Sequence, residues 1–259
     1  HPHPKTELHH TNEMQLAVAV MLSAQTTDKK VNQITPKLFE KYKTWADFAN
    51  ANLVELQKTV KRENCDFGIA FDGDADRIFF VDESGNIINS SLISALIIKN
   101  FLVKNPKEKI IYNLVCSHIV PETIRHYNGI EIMERVGHSF IKDTMRKTKA
   151  LFACEHSAHY YYRKNYRADS GIITSLIISE IVSKGNKPLS ALLNEFKKYH
   201  TIQETSIEAV DKTKKLKEIE AIYKKQKPKK IIKLDGITVE FNDWWFNVRL
   251  SNTEPLLRL

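Results

Sequence analysis

Two apolar runs, Phe67-Gly-Ile-Ala-Phe71 and Ile78-Phe-Phe-Val81, are joined by Asp72-Gly-Asp-Ala-Asp-Arg77. Runs of this length around a glycine-containing turn read as buried strands flanking a tight loop. Gly73 lets the chain turn sharply where the first strand ends. The loop then aims Asp72, Asp74 and Asp76 at one point. Three converging carboxylates repel one another unless a cation neutralises them, and hard oxygen ligands suit Mg2+, which keeps room for a phosphate oxygen. A solvated acidic turn and a calcium loop share the D-x-D-x-D spacing. Apolar residues on both sides hold this loop at the edge of a core, which favours the metal.

From Glu63 onward, strand and helix patterns alternate. Strands are expected at 78–82, 87–88, 109–114, 130–133 and 150–153, and helices at 92–103, 121–127, 139–148 and 171–183. This alternation predicts an α/β fold with an α/β/α layer sandwich. Short strands at 231–234, 238–241 and 245–250 follow a lysine-rich helix and predict a small α+β domain. Residues 1–62 differ. Helical periodicity over 14–24 and after Asp28, with capping-box patterns at Thr44–Asp47 and Asn52–Glu55, predicts short helices, with Pro36 early in the second. The expected organisation is an all-α segment at 1–62, a metal-loop remnant at 63–84, a sandwich domain at 85–204 and a C-terminal domain at 205–259.

The 259 residues, 42% hydrophobic, suffice for a sizeable core in one or two domains. Cys65, Cys116 and Cys154 are odd in number and lack C-x-x-C spacing. They argue for a reducing compartment and against a disulfide framework or zinc site. Apolar stretches such as 16–22 and 92–98 are far short of a membrane span, and His-Pro-His-Pro opens no signal peptide. A cytoplasmic protein without a membrane partner is expected. Most of the net charge of +8 sits in residues 211–233, with ten lysines against three acids. A solvated helix face explains this tract, as does an electrostatic funnel for an anion. No aromatic platform interleaves, so nucleic acid is not the expected partner.

The stretch Asp66–Arg77 resembles the magnesium loop of the phosphomannomutase/phosphoglucomutase (α-D-phosphohexomutase) family. Three later stretches fit the same family in the family's order. Gly137-His-Ser-Phe-Ile-Lys142 is similar to a substrate loop, Cys154-Glu-His-Ser-Ala-His159 resembles the sugar-recognition loop, and Arg249-Leu-Ser-Asn-Thr-Glu-Pro255 resembles the phosphate-binding loop. The resemblance implies interconversion of hexose 1- and 6-phosphates through a phosphoserine and Mg2+, with mannose or glucose phosphate as the partner. It implies that Asp72, Asp74 and Asp76 hold the metal while Arg77 offsets charge beside it. Glu155 and Ser157 would take sugar hydroxyls, and Arg249, Ser251, Asn252 and Thr253 would grip the phosphate that is not transferred. His138 matches a histidine that assists proton transfer and Lys142 a substrate contact; a surface or core histidine fits the residue equally well.

Some family features are missing. Nothing matches the phosphoserine loop T-x-S-H-N-P, since Ser117-His118 continues as Ile119-Val120, and Cys154 stands where the family often has glycine. The expectation is the C-terminal part of a mutase, with weak Mg2+ affinity and little or no mutase activity alone. Upstream, Leu22-Ser-Ala-Gln-Thr-Thr-Asp28 with Val31-Asn32, Leu38-Phe39 and Trp45 is similar to the amino-terminal helices of endonuclease III. There a glutamine matching Gln25 reaches into the duplex. The catalytic lysine and aspartate, the helix-hairpin-helix and the four cluster cysteines of that family are not matched. The alternatives are a non-catalytic phosphosugar-binding module, a DNA-binding fragment in residues 1–62, or two truncated reading frames joined near residues 62–64.

Overall fold

A computed structural model describes residues 6–23, 28–41, 43–202, 204–209, 211–251 and 256–259, and of residues 17, 21–23, 30 and 45–53 the backbone alone. The chain begins with helices α1 (Glu13–Ser23), α2 (Asp28–Lys41) and α3 (Trp45–Arg62), then strands β1 (Phe67–Phe71) and β2 (Ile78–Asp82). Next come α4 (Ser90–Lys104), β3 (Lys109–Asn113), α5 (Ile119–His126), β4 (Ile130–Glu134), α6 (His138–Thr148), β5 (Phe152–Cys154) and β6 (Tyr160–Tyr162). The remainder holds α7 (Gly171–Gly185), α8 (Leu189–Leu193), β7 (Ser206–Glu208), α9 (Lys212–Lys224), β8 (Lys230–Ile232), β9 (Ile237–Glu240), β10 (Trp245–Leu250) and β11 (Leu256–Arg258). These elements form two compact units, residues 1–89 with 169–194 and residues 90–168 with 195–259. No helix of the described residues is long and apolar enough to cross a membrane.

In the first unit, β1 and β2 pair antiparallel from Phe67↔Asp82 to Phe71↔Ile78. The expected return strand at 87–88 is reduced to one bridge, Val81↔Ile87, because the buried Asp82 carboxylate accepts the Ser84 and Asn86 N–H groups and closes the turn itself. Helix α3 lies on the hairpin. A Cβ on Gly68 would stand 2.6 Å from Val60 Cγ2, so glycine permits this close approach. Gln57 Nε2 also donates to the Gly85 carbonyl at 2.7 Å. The capping pattern at Asn52 does not start a helix: it falls inside the continuous α3. Pro36 likewise sits in the third turn of α2, not early in it. Val60, Leu8, Ala19 and Val31 are buried, whereas Val20, Ile34 and Val54 remain about half exposed.

The second unit contains the sandwich. Strands run in the order β4-β3-β5-β6, with β4 and β5 both parallel to β3 and β6 antiparallel to β5. Register puts Ile111, Ala153 and Tyr161 in one row, and they pack against Ile141 and Met145 of α6. The neighbouring row, Ile110, Phe152 and Tyr162, faces the opposite side, where Phe101 of α4 meets Phe152 and Tyr162 edge-on at 5.5 and 6.4 Å. Both faces are therefore covered, which accounts for the continuous apolar run in β3. An antiparallel sheet, β7-β11-β10-β9-β8, carries Ile237, Val239, Val248 and Leu257 into a core with Leu216 and Ile219 of α9.

Within this unit the His118 ring stacks on Trp245 at 3.8 Å and 7°, and Tyr199 meets both rings edge-on. Burial holds the His118 imidazole below its ordinary 6.5, against the opposing pull of Glu240 and Glu122. The unfolded chain therefore binds a proton more readily than the folded one, and stability falls as pH drops below about 6.5. Replacing His118 with phenylalanine keeps an aromatic surface for Trp245 and removes the titration. We expect the urea midpoint of H118F to shift less than that of the wild type between pH 7.5 and 5.0. Equal shifts in the two proteins would refute this assignment.

Candidate active site

The first unit holds the acidic loop. Asp72 Oδ1 accepts the Arg77 N–H at 3.1 Å and Oδ2 accepts Arg77 Nε at 2.7 Å. Burial pushes the Asp72 carboxyl up, but the Arg77 hydrogen bonds and charge outweigh it and hold it below the usual range. Ala75 takes a left-handed conformation, with φ of 58°. Its carbonyl accepts the Gly171 N–H at 3.0 Å, and a Cβ on Gly171 would meet that oxygen at 2.8 Å. The first turn of α7 thus braces the loop. Asp72, Asp74 and Asp76 each offer an oxygen within 4.8 Å of the others. This all-oxygen set suits a hard divalent cation such as Mg2+. Arg77 is ion-paired with Asp72, so its charge offsets that of one of the three carboxylates.

A second cluster forms in the second unit, where β3, β4 and β5 end side by side. Register aligns Asn113 with Glu134 and Tyr112 with Cys154, so the chain leaves all three parallel strands at one edge, where open α/β sheets bind ligands. The centre is Glu155. It is 3% exposed, and its carboxylate accepts from the Tyr161 hydroxyl, from Asn113 Nδ2 at 3.2 Å and from the Gly137 N–H at 3.2 Å. A carboxylate has about four acceptor positions, so most of Glu155 is spent on the protein and little remains for a sugar hydroxyl. Gly137, at φ of 130°, caps α6 and leads directly into His138. Val136 N–H donates to Asp235 Oδ2 at 3.1 Å, tying the same loop to the turn before β9.

His138 and Ser157 are exposed, and Lys142 follows His138 by one helical turn, its Nζ 5.7 Å from the Tyr161 ring centroid. Arg249 lies on β10 with its side chain 12% exposed, and its Nη2 donates to Glu204 Oε2 at 2.9 Å. Ser251 is buried, and its carbonyl accepts Lys212 Nζ at 3.0 Å. Burial holds His156 below its ordinary value, with Glu204 pulling it up and Arg249 pushing it down, so His156 lies in the field of both. Asn252, Thr253 and Gln25 lie outside the described residues. Sequence reasoning missed Asn113, Tyr161, Asp235 and Glu204. Only Asn113 leaves a signal, as the polar residue closing an apolar strand.

Three models of one family match the chain: phosphoglucomutase/phosphomannomutase alpha/beta/alpha domain II over residues 9–85, alpha/beta/alpha domain III over 89–199, and the C-terminal domain over 206–259. The domain II match takes in most of residues 1–62, so that stretch, expected above to be an endonuclease III-like fragment, matches the same family as the rest of the chain. A phosphomannomutase of Methanocaldococcus jannaschii is 41% identical over 207 residues, 80% of this chain and 45% of that protein. A crystal structure of a phosphoglucomutase/phosphomannomutase family protein from Burkholderia thailandensis is similar at TM-score 0.74 and 30% identity, over 80% of this chain and 44% of that one. An Aspergillus fumigatus N-acetylphosphoglucosamine mutase, solved with GlcNAc-6P and magnesium, shares the fold at TM-score 0.50 and 13% identity, over 73% of this chain and 47% of that one. The chain spans about half the length of the curated relatives it matches.

Proposed function

The chain belongs to the phosphoglucomutase/phosphomannomutase family, and we propose that it supplies the metal loop and the sugar- and phosphate-binding groups for interconverting hexose 1- and 6-phosphates. The observation that carries this reading is the convergence of the Gly137, Glu155 and Asn113 segments on one carboxylate at the edge of the parallel sheet. Phosphoryl transfer needs positioning and charge neutralisation more than covalent help. Arg249 offers a fork of charge-assisted donors to the phosphate that stays in place. His138 stands at the free end of α6, within reach of solvent, to take or return a proton at a sugar hydroxyl. Ser157, exposed in the adjoining loop, donates to or accepts from the sugar.

Asp72, Asp74 and Asp76 would hold Mg2+, which when bound neutralises charge on the phosphoryl oxygens. Arg77 must then share Asp72 with the cation. The nucleophile is another matter. Ser117 is 7% exposed and lies two residues before α5, separated from it by the N-cap His118, so it does not present a hydroxyl to substrate. We therefore propose that this 259-residue chain binds hexose phosphate but does not transfer the phosphoryl group alone.

Titration calorimetry with mannose 1-phosphate in the presence of Mg2+, followed by phosphorus NMR of the mixture, tests both halves. Binding is expected in the millimolar range or tighter, weakened about tenfold or more by R249Q, with no hexose 6-phosphate formed. No heat at millimolar ligand would overturn the binding reading, and steady conversion would overturn the second half.

A further inference from the structure

Strand β1, Phe67-Gly-Ile-Ala-Phe71, carries no charge and no proline, and among the described residues it pairs only with β2, in an unbroken register. The Phe80 carbonyl accepts the Ile88 N–H and the Asp82 N–H donates to Asn86, so Phe80 and Asp82 turn their backbone groups away from β1. Antiparallel alternation then assigns the β1–β2 bonds to Gly68 with Val81 and to Ala70 with Phe79. The N–H and C=O groups of Phe67, Ile69 and Phe71 are left aimed outward, with no backbone partner among the described residues. None of the three residues is fully buried, and Phe71 is 38% exposed. Edge strands are ordinarily blunted by lysine, proline or a bulge, and this one has none of them. Its continuous apolar run, with α3 packed over Gly68 and α7 starting against Phe71, is that of an interior strand.

We propose that β1 docks edge to edge with β1 of a second copy of this chain, antiparallel about a two-fold axis at Ile69. The strand is self-complementary in that register. Phe67 falls opposite Phe71 of the second copy, Ile69 opposite Ile69, and the small Gly68 opposite the small Ala70. The outward residues are symmetric about Ile69, so each outward N–H of either strand meets an outward C=O of the other. Aromatic pairs at both ends add to these bonds. A slip by one residue would set outward groups against groups already bonded to β2, and a slip by two would leave outward groups unpaired. Beyond the strand, Asp66 faces Asp72 of the second copy, and the Arg77 ion-paired with that Asp72 supplies the counter-charge. The contact joins two hairpins, each a marginal two-stranded sheet, into one sheet of order β2-β1-β1-β2. A two-fold contact closes on itself, so assembly stops at the dimer.

Sedimentation velocity of the full chain across the micromolar range, with residue-resolved amide exchange at the lowest and highest concentrations, tests it. A monomer–dimer equilibrium is expected. In the dimer the Phe67, Ile69 and Phe71 amides should exchange about tenfold or more slowly than in the monomer. Gly68 and Ala70, already bonded to β2, should change little. Ile69→Pro removes the outward donor at the axis without taking a bond from β2, since proline is tolerated where the N–H faces away from the ladder. It should weaken dimerisation about tenfold or more. Ile69→Lys, which sets two lysines face to face on the axis, replaces it if the proline variant unfolds. A chain that stays monomeric overturns the proposal and leaves the edge to a strand of another polypeptide. Growth past the dimer overturns it as well. A dimer whose Phe67, Ile69 and Phe71 amides exchange as in the monomer pairs through another face, which is equally fatal. So is a folded Ile69 variant that dimerises as wild type does.

Discussion

Gly236→Ala should strongly destabilise the antiparallel sheet of the second unit. Gly236 has φ of +65°, and a Cβ there would lie 2.1 Å from the Val248 carbonyl oxygen and 2.6 Å from Arg249 Cα. Both are backbone atoms of β10, so no side chain can swing aside. Overpacking of this kind costs about 1–3 kcal/mol, and the left-handed conformation costs alanine roughly 1–2 kcal/mol more. Against a typical domain stability of about 5–15 kcal/mol, that loss is severe. The same strand carries Arg249, and the neighbouring Asp235 holds the Val136 N–H, so any folded fraction should also bind phosphate poorly. Urea denaturation followed by tryptophan emission reports the change, because Trp244 and Trp245 both belong to this sheet region. A midpoint within error of wild type would contradict the geometry.

Glu155→Leu is expected to cost about 3–6 kcal/mol, and Glu155→Gln only about 1 kcal/mol. Leucine leaves the Tyr161 hydroxyl, Asn113 Nδ2 and Gly137 N–H without their shared acceptor in a buried site. Glutamine can still accept from Asn113 and Gly137 through its oxygen while its amide donates to the Tyr161 oxygen. The contrast separates two roles. If Glu155 serves mainly to fix the Gly137 loop, E155Q should keep most of its stability and hexose phosphate affinity while E155L loses both. If it serves mainly to bind sugar, E155Q should lose affinity at unchanged stability. Denaturation midpoints and calorimetry on the two variants decide between these.

The regular parts of the fold were legible because their signals are periodic. β10 runs over the expected residues 245–250, and α4, α6 and α7 fall within three residues of expectation at either end. What escaped was too short to show a period. β6, β7 and β11 have three residues each, although the three tyrosines of β6 carry the β-preference of aromatic residues. Asp72, Asp74 and Asp76 could be grouped from spacing alone because they share one loop. Glu204 could not, since its partners are 45 and 54 residues away in sequence. Glu155 shows the opposite limit. A charged residue in a loop reads as exposed, and only the tertiary fold brings three donors to it and buries it.

The brace on the acidic loop has a consequence for how the chain is made. Ala75 and Gly171 are joined by one hydrogen bond, yet the ribosome adds nearly a hundred residues between them. At roughly 5–20 residues per second, the aspartates emerge roughly 5–20 seconds before α7 exists to hold them. During that interval residues 90–168 can collapse as the start of their own unit, while the first unit waits for its last pieces. Slow synthesis, or a pause before codon 171, should therefore lengthen the life of a nascent chain whose acidic loop is still unsupported.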